Sequence, residues 1–451
     1  MLVLGQRHLP PAPVWFTFAV LPLLLVYPAL TLTVAGAVNT VFFLLFLLSA
    51  ARLLADLRNP REQRLAASRP GRRDPLPASD AMLYTAAMAA LPLAVFIGQC
   101  ASQRWGWPYY DAVSRFLLAT PIFFALRRLP PQRLLVLWPG MIFGAFAAAA
   151  LVVFDPRDWG ASDGVARLGS AFVNPIHFGD IALTLGVLPA LGLVQRPLTP
   201  VSVRSMLWPA AALLAAAAGL YASILSGSRG GWVAIPLFVV LAAVFNRSAL
   251  HARTVLVAAL AMLLAVSLAA IAVPETRQRI ELVFSNLHAF DHGNEDTSIG
   301  IRFQLWKAAW VIFTEHPLFG VGMGGFKALM TPMQQSGLLT PLAADFGRQE
   351  VHSEILSRLS QLGIVGLAAI AAVYIVPARL FWRRVDAVSA ASRAAARMGL
   401  ALVLGFVVYG LTVETFDLTM TAAFYALTVA VLLAAAYPKS PPTEHATCSA
   451  S

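Results

Sequence analysis

The amino-acid sequence predicts an all-α integral membrane protein with about 12 transmembrane helices, one for each apolar run of roughly 20 residues, the length that crosses a bilayer core. Two further observations agree. Of the 451 residues, 59% are hydrophobic and 12% charged, with a mean hydropathy of +0.72, whereas a soluble domain carries about 25% charged residues. The 33 Lys and Arg residues fall mostly between the apolar runs, as topology signals do. This composition excludes a soluble enzyme and a disordered chain, and two cysteines, Cys100 and Cys448, are too few for a disulfide framework. The net charge of +11 reads as membrane topology and not as nucleic-acid binding.

The runs lie near residues 14–34, 36–53, 80–99, 112–127, 132–154, 172–194, 206–225, 231–246, 254–273, 353–377, 398–413 and 419–437. The first follows Arg7 and precedes Ala35-Gly36-Ala37, as a signal peptide would, but it is too long and a second run follows at once. It is counted as a helix. With both termini cytoplasmic, one face collects Arg7, the cluster Arg52, Arg58, Arg61, Arg64, Arg69, Arg72 and Arg73, and most of the remaining cations, which the positive-inside rule favours. The chain then divides into residues 1–273 (nine helices, short loops), an outward segment 274–351, residues 352–437 (three helices) and a cytoplasmic tail 438–451. The outward segment is too long for a structureless loop and is expected to fold as a small helical cap between the ninth and tenth spans. Within it, Ile299, Arg302, Phe303, Leu305, Trp306, Ala309, Trp310 and Phe313 recur at helical intervals, predicting an amphipathic helix over 299–313 at the outer membrane surface. Pro317 and the glycines Gly320, Gly322, Gly324 and Gly325 end it in a turn.

Four segments carry candidate chemistry. Ser226-Gly227-Ser228-Arg229-Gly230-Gly231-Trp232 joins two apolar runs at the outer face: small residues admit a ligand to backbone N–H groups, and Arg229 offers a fork suited to phosphate oxygens. The same turn also reads as a tight bend whose arginine snorkels to headgroups. Arg302 and Trp306, four apart, share a helical face, so an indole in the interface would leave the guanidinium over the same opening; the alternative is an ordinary interfacial Arg/Trp pair. His352 opens the re-entry Val351–Leu367 and can act as a general base, or merely cap the helix; Glu354 and Arg358 read as a helix salt bridge. His177 and Asp180, three apart in an apolar run, are too few for a metal site and read as a structural hydrogen bond, with a proton relay, as a transporter would use, the alternative. Arg167, Lys307, Lys327 and Arg348 either reach an anionic ligand or contact headgroups. No P-loop, H-E-x-x-H or outward Asp-x-Asp motif occurs, so neither cofactor nor metal is expected and any pyrophosphate must be neutralised by arginine.

The Ser226–Trp232 turn, the Arg302-x-x-x-Trp306 helix, His316-Pro317-Leu318-Phe319-Gly320-Val321-Gly322 and the His352–Leu367 re-entry together resemble the O-antigen ligase family of bacterial membrane glycosyltransferases, over roughly residues 160–370. That resemblance implies a GT-C-like helical enzyme of lipopolysaccharide biosynthesis in the inner membrane, working at the periplasmic face. Its donor would be an undecaprenyl-pyrophosphate-linked glycan and its acceptor a sugar hydroxyl of lipid A–core, among membrane lipids. Arg229 and Arg302 match the family's pyrophosphate arginines and His352 its catalytic histidine, with Arg167 and Arg348 as further donor-binding candidates and Ser228, Trp306, Lys307 and His316 in support. The chain departs from the family at Ser353, where Asn is frequent, and at Gln361, where Glu is frequent. Neither position is given an acid/base role.

An O-antigen polymerase would use the same donor but a second lipid-linked glycan as acceptor. A protein O-oligosaccharyltransferase often carries a larger C-terminal outer domain. A transporter or lipid-glycan flippase has a similar helix count but places ionisable groups near the midplane, whereas Arg229, Arg302 and His352 fall at one face.

Overall fold

The structure is a computed structural model describing residues 14–58, 76–160, 167–193, 203–246, 249–272 and 274–439. The predicted basic cluster from Arg61 to Arg73, Arg7, most of the tail and the Arg229 side chain lie outside the described residues.

The described residues are mainly helical: α1 (Val14–Thr33), α2 (Ala37–Arg58), α3 (Ala78–Ser102), α4 (Tyr110–Leu126), α5 (Pro131–Leu134), α6 (Leu137–Phe154), α7 (Pro175–Leu191), α8 (Val203–Ser226), α9 (Arg229–Phe245), α10 (Ala249–Ile271), α11 (Pro274–Asp291), α12 (Ser298–Glu315), α13 (Gly325–Gln335), α14 (Pro341–Gly347), α15 (Glu354–Trp382), α16 (Ala390–Tyr409) and α17 (Thr419–Ala436). A two-stranded antiparallel hairpin pairs Arg157 with Gly169 and Asp158 with Leu168. Every predicted apolar run coincides with helix, yet among the described residues 8 helices are long and apolar enough to cross a membrane, with Pro175–Leu191 and Gly230–Phe245 shorter. Eight spans are thus supported among the described residues, and the expected twelve is not shown. Local chemistry shortens two of the others: Asn174 caps α7 ahead of Pro175, and α4 carries Asp111 and the buried Arg115 in its first turns.

α17 is the axis of the bundle, buried continuously from Thr421 to Ala436, with α2, α4 and α16 against it. Its all-round apolar sequence fits no other place. Above it, Phe116, Tyr374, Phe406, Phe416 and Tyr425 interlock with ring centroids 4.9–6.1 Å apart. α7 and α8 pack through small residues, with Gly186 against the Ala215 backbone and Gly219 against that of Ala182, the close approach that helix pairing in lipid exploits.

Residues from Ile301 to Val351 build a second core. Ile301, Leu305, Ala308, Ala309 and Ile312 of α12 face Phe326, Met330, Met333, Leu339, Ala343, Ala344 and Val351. Thr297 and Thr340 cap α12 and α14, and Gln304 ties Glu295 O to Thr340 N. The helix predicted over 299–313 is thus present, but its apolar stripe is covered by protein, leaving Phe303 and Trp310 as the exposed side.

α15 is broken at Gly363 (φ 62°, ψ −151°), and the turn after α12 splints the break. Val321 N donates to Ser360 O, Gly322 N to Gln361 O, Gly324 N to Gln361 Oε1, and Ile364 N to Pro317 O, at 2.9–3.1 Å. Inside a bilayer such freed groups must find protein partners. A Cβ on Gly363 would lie 2.4 Å from the Leu318 carbonyl carbon and oxygen, in a backbone region nearly reserved for glycine. Gly363→Ala should therefore cost about 3 kcal/mol or more, whereas Gly337→Ala, also at positive φ but with nothing within 4 Å, should cost about 1 kcal/mol. Thermal unfolding of both variants in detergent checks the contrast.

Candidate active site

His352 sits where the second core meets α15, and the segment 350–353 around it is held at four points. Glu350 N donates to Phe346 O, Val351 N to Glu414 Oε1 at 2.5 Å, and Trp306 Nε1 to His352 O at 3.3 Å. Ser353 Oγ accepts from Leu356 N to start α15. His352 itself adopts φ 57°, one of two left-handed non-glycine residues among those described. Such backbone strain persists only where the surroundings over-determine it, as at functional sites. The imidazole, 12% exposed, brings Nδ1 to 2.7 Å from Glu350 Oε1, with the carboxylate off the N–H axis.

A buried polar network lies beneath. Glu354 accepts from Arg358 Nε at 2.7 Å and from Phe416 N at 3.0 Å, while Glu354 N donates to Gly410 O. Arg358 Nη2 lies 3.7 Å from Asp417 Oδ1. Glu414 Oε2 accepts from Ser357 Oγ, which accepts from Gln361 Nε2. The Glu354–Arg358 pair read from the sequence is present, and it is almost wholly enclosed. Gln361 acts as both donor and acceptor in the splint, a use for a neutral amide that a carboxylate could not fill.

The Ser226–Trp232 turn docks on α7. Ser228 Oγ donates to Asp180 Oδ1 at 2.7 Å, and a Cβ on Gly179 would meet Ser226 Oγ at 2.1 Å. Asp180 thus bonds Ser228 and not His177, which the sequence alone paired with it. One turn earlier on α7, buried His177 acts electrostatically on Glu350. α7 therefore links the turn that carries Arg229 to the surroundings of His352.

The other candidates fall in different places. Trp306 faces inward to His352 O, so its indole does not point into the membrane interface, and Arg302, half-buried one turn before it, donates from Nη1 to Ser298 O. Arg167 is half-buried in the hairpin, where its N–H donates to Asp158 Oδ1. Arg348 is exposed and engaged with Asp345 and Thr331; Lys307, His316 and Lys327 are exposed, His316 as the C-cap of α12.

Two carboxylates that the sequence reading passed over have shifted acidities. Burial opposes ionisation of Glu350, but the His352 imidazole 2.7 Å away, together with His177, outweighs it and holds the carboxyl below the usual range. Burial, reinforced by nearby Asp417, holds Glu414 far above that range.

The fold and site define a multi-pass helical membrane protein with a histidine and buried carboxylates gathered where the second core meets the bundle. Residues 210–371 match the family model described as O-antigen ligase. A Haemophilus influenzae protein described as uncharacterized is 21% identical over 305 residues, 66% of this chain and 72% of the relative. A solved chain, from work described as "Structural coordination of polymerization and crosslinking by a peptidoglycan synthase complex", aligns at TM-score 0.42 with 21% identity, over 80% of this chain and 98% of that one.

Glu414 binds its proton more tightly in the folded than in the unfolded chain. Its contribution to stability is therefore fully present below the unfolded carboxylate range and lost as pH rises towards the folded value. Glu414→Gln does not titrate and should gain thermal stability relative to wild type between about pH 5 and about pH 9. Glu414→Ala, which leaves Val351 N–H buried without its acceptor, should lose about 2–4 kcal/mol. Unfolding scans across that pH range test both.

Proposed function

We propose that this protein is an O-antigen ligase, transferring a glycan from undecaprenyl pyrophosphate to a sugar hydroxyl of lipid A–core at the periplasmic face of the bacterial inner membrane. The observation that carries this reading is His352: a partly accessible imidazole on a strained, fully braced backbone, inside the segment that matches the family. In the proposed reaction His352 removes the acceptor hydroxyl proton while the oxygen attacks the anomeric carbon. The bond from that carbon to the phosphate oxygen breaks, and undecaprenyl pyrophosphate departs. Pyrophosphate is a good leaving group, so the arginines need only meet the charge growing on its oxygens. Arg229 and Arg302 take that role in direct contact. Arg167 and Arg348 contribute positive potential, the latter from a surface already shared with Asp345. A single displacement inverts the anomeric configuration, and no metal is required because arginine supplies the positive charge. The same reading gives twelve crossings, cytoplasmic termini and a periplasmic cap over residues 274–351.

The test is transfer of a polyprenyl-pyrophosphate-linked glycan to lipid A–core by the purified protein in detergent with EDTA. Wild type should form product with inverted configuration, and His352→Ala should lower kcat by about 10²–10⁴-fold, the usual worth of a general base. Arg229→Ala and Arg302→Ala should each lose about 10²-fold or more. Retention of configuration overturns the single displacement; chain growth on the carrier without transfer to lipid A–core makes the protein a polymerase.

A further inference from the structure

The backbone around His352 is fixed from both sides, by Val351 N on Glu414, His352 O on Trp306 and Ser353 at the start of α15. The freedom that remains is rotation of the imidazole and the choice of which ring nitrogen bears the proton. Only one of the two can present a lone pair to an acceptor hydroxyl, and the hydrogen bond made by the other decides which. Glu350, two residues upstream on the same braced segment, places Oε1 2.7 Å from Nδ1 and stays ionised across the neutral range.

We propose that Glu350 is the positioning residue of His352: it accepts Nδ1–H, holds the ring with Nε2 facing the acceptor, and stabilises the imidazolium formed during transfer. This rests on the glycosyl-transfer reading above and deepens it by assigning the second member of the base. The protons balance. Nε2 takes the acceptor proton as the new oxygen–carbon bond forms and the carbon–oxygen bond to phosphate breaks. Nδ1–H stays on Glu350 throughout, and after product leaves Nε2 returns its proton to water. The carboxylate lies off the N–H axis in the free protein, an arrangement that commonly tightens when substrate binds.

Other charges face the pair. His177 comes from α7, Glu414 and Asp417 from the α16–α17 loop, and Arg358 with Glu354 from α15. Of these, Glu350 alone touches the ring. Arg358 Nε is bonded to Glu354 with Nη2 3.7 Å from Asp417 Oδ1, and Glu414 is bonded to Val351 and Ser357. Trp306 and Phe346 complete the walls, the Phe346 ring 6.4 Å from the imidazole.

The experiment uses the full chain in detergent, with histidine ring nitrogens labelled with ¹⁵N, as wild type, Glu350→Gln, Glu350→Ala and His352→Ala. The signal lost in His352→Ala identifies that ring among the 8 histidines. In wild type it should show protonated Nδ1 and bare Nε2 at alkaline pH. In Glu350→Ala it should shift towards the Nε2-protonated form, while Glu350→Gln, which keeps an acceptor oxygen, retains the wild-type tautomer. In the transfer assay kcat should fall about 10-fold in Glu350→Gln and about 100-fold in Glu350→Ala, the scale of outer-shell partners elsewhere, with donor KM within about twofold of wild type. An unchanged tautomer in Glu350→Ala, or a loss carried by KM alone, overturns the assignment. If wild type transfers to neither acceptor, the ligase reading fails, and the tautomer measurement still decides whether Glu350 sets the ring.

Discussion

Glu354 and Arg358 form the charge pair on which the His352 end of the bundle depends. Removing two charges from water is costly, and a buried pair seldom raises stability over an apolar one. It does exclude alternatives, because either partner alone would leave a buried charge uncompensated. Here Glu354 also receives Phe416 N, and its own N–H goes to Gly410 O. The pair thereby joins the start of α15 to the loop between α16 and α17, and the aromatic cluster around Phe416 fills the space below. Glu414 repeats the device one turn along, reaching from that loop to Val351 and Ser357.

From that anchored point the candidate site follows. The break at Gly363 frees backbone groups that only the 317–324 turn satisfies, so the end of α12 is held against α15. Trp306, earlier on α12, then meets His352 O, and Arg302 lies one turn further along the same helix. The glycine-rich turn after α12 is a splint for a broken helix, and its spacing is set by hydrogen bonding to that break.

The charge distribution is layered. Arg302 and Arg348 lie on the segment from α12 to the re-entry, and the Glu350 carboxylate lies beside the histidine. A base that must gain a positive charge during reaction is favoured by negative charge behind it, while the leaving group is favoured by positive charge in front. Keeping the two apart prevents them from cancelling in advance, and the braced backbone maintains that separation.

Much of the fold was legible because each span must bury a run of apolar residues, a constraint that leaves its mark in one dimension. The runs at 14–34, 206–225 and 419–437 are examples. The helix over 299–313 was legible for the same reason, but the side it would bury was not, since a stripe facing lipid and one facing a second core have the same composition. The sequence by itself determined the helical membrane class and the family resemblance, and it singled out His352 as a candidate. Only the tertiary structure decided that Asp180 serves Ser228, that Gln361 bonds the glycine turn, and that Glu414 and Asp417, some 60 residues away in the chain, sit beneath the re-entry. The physical reason is that hydrogen bonds and ion pairs act over a few ångströms in space, and no periodicity along the chain records which distant residues folding will bring within that reach.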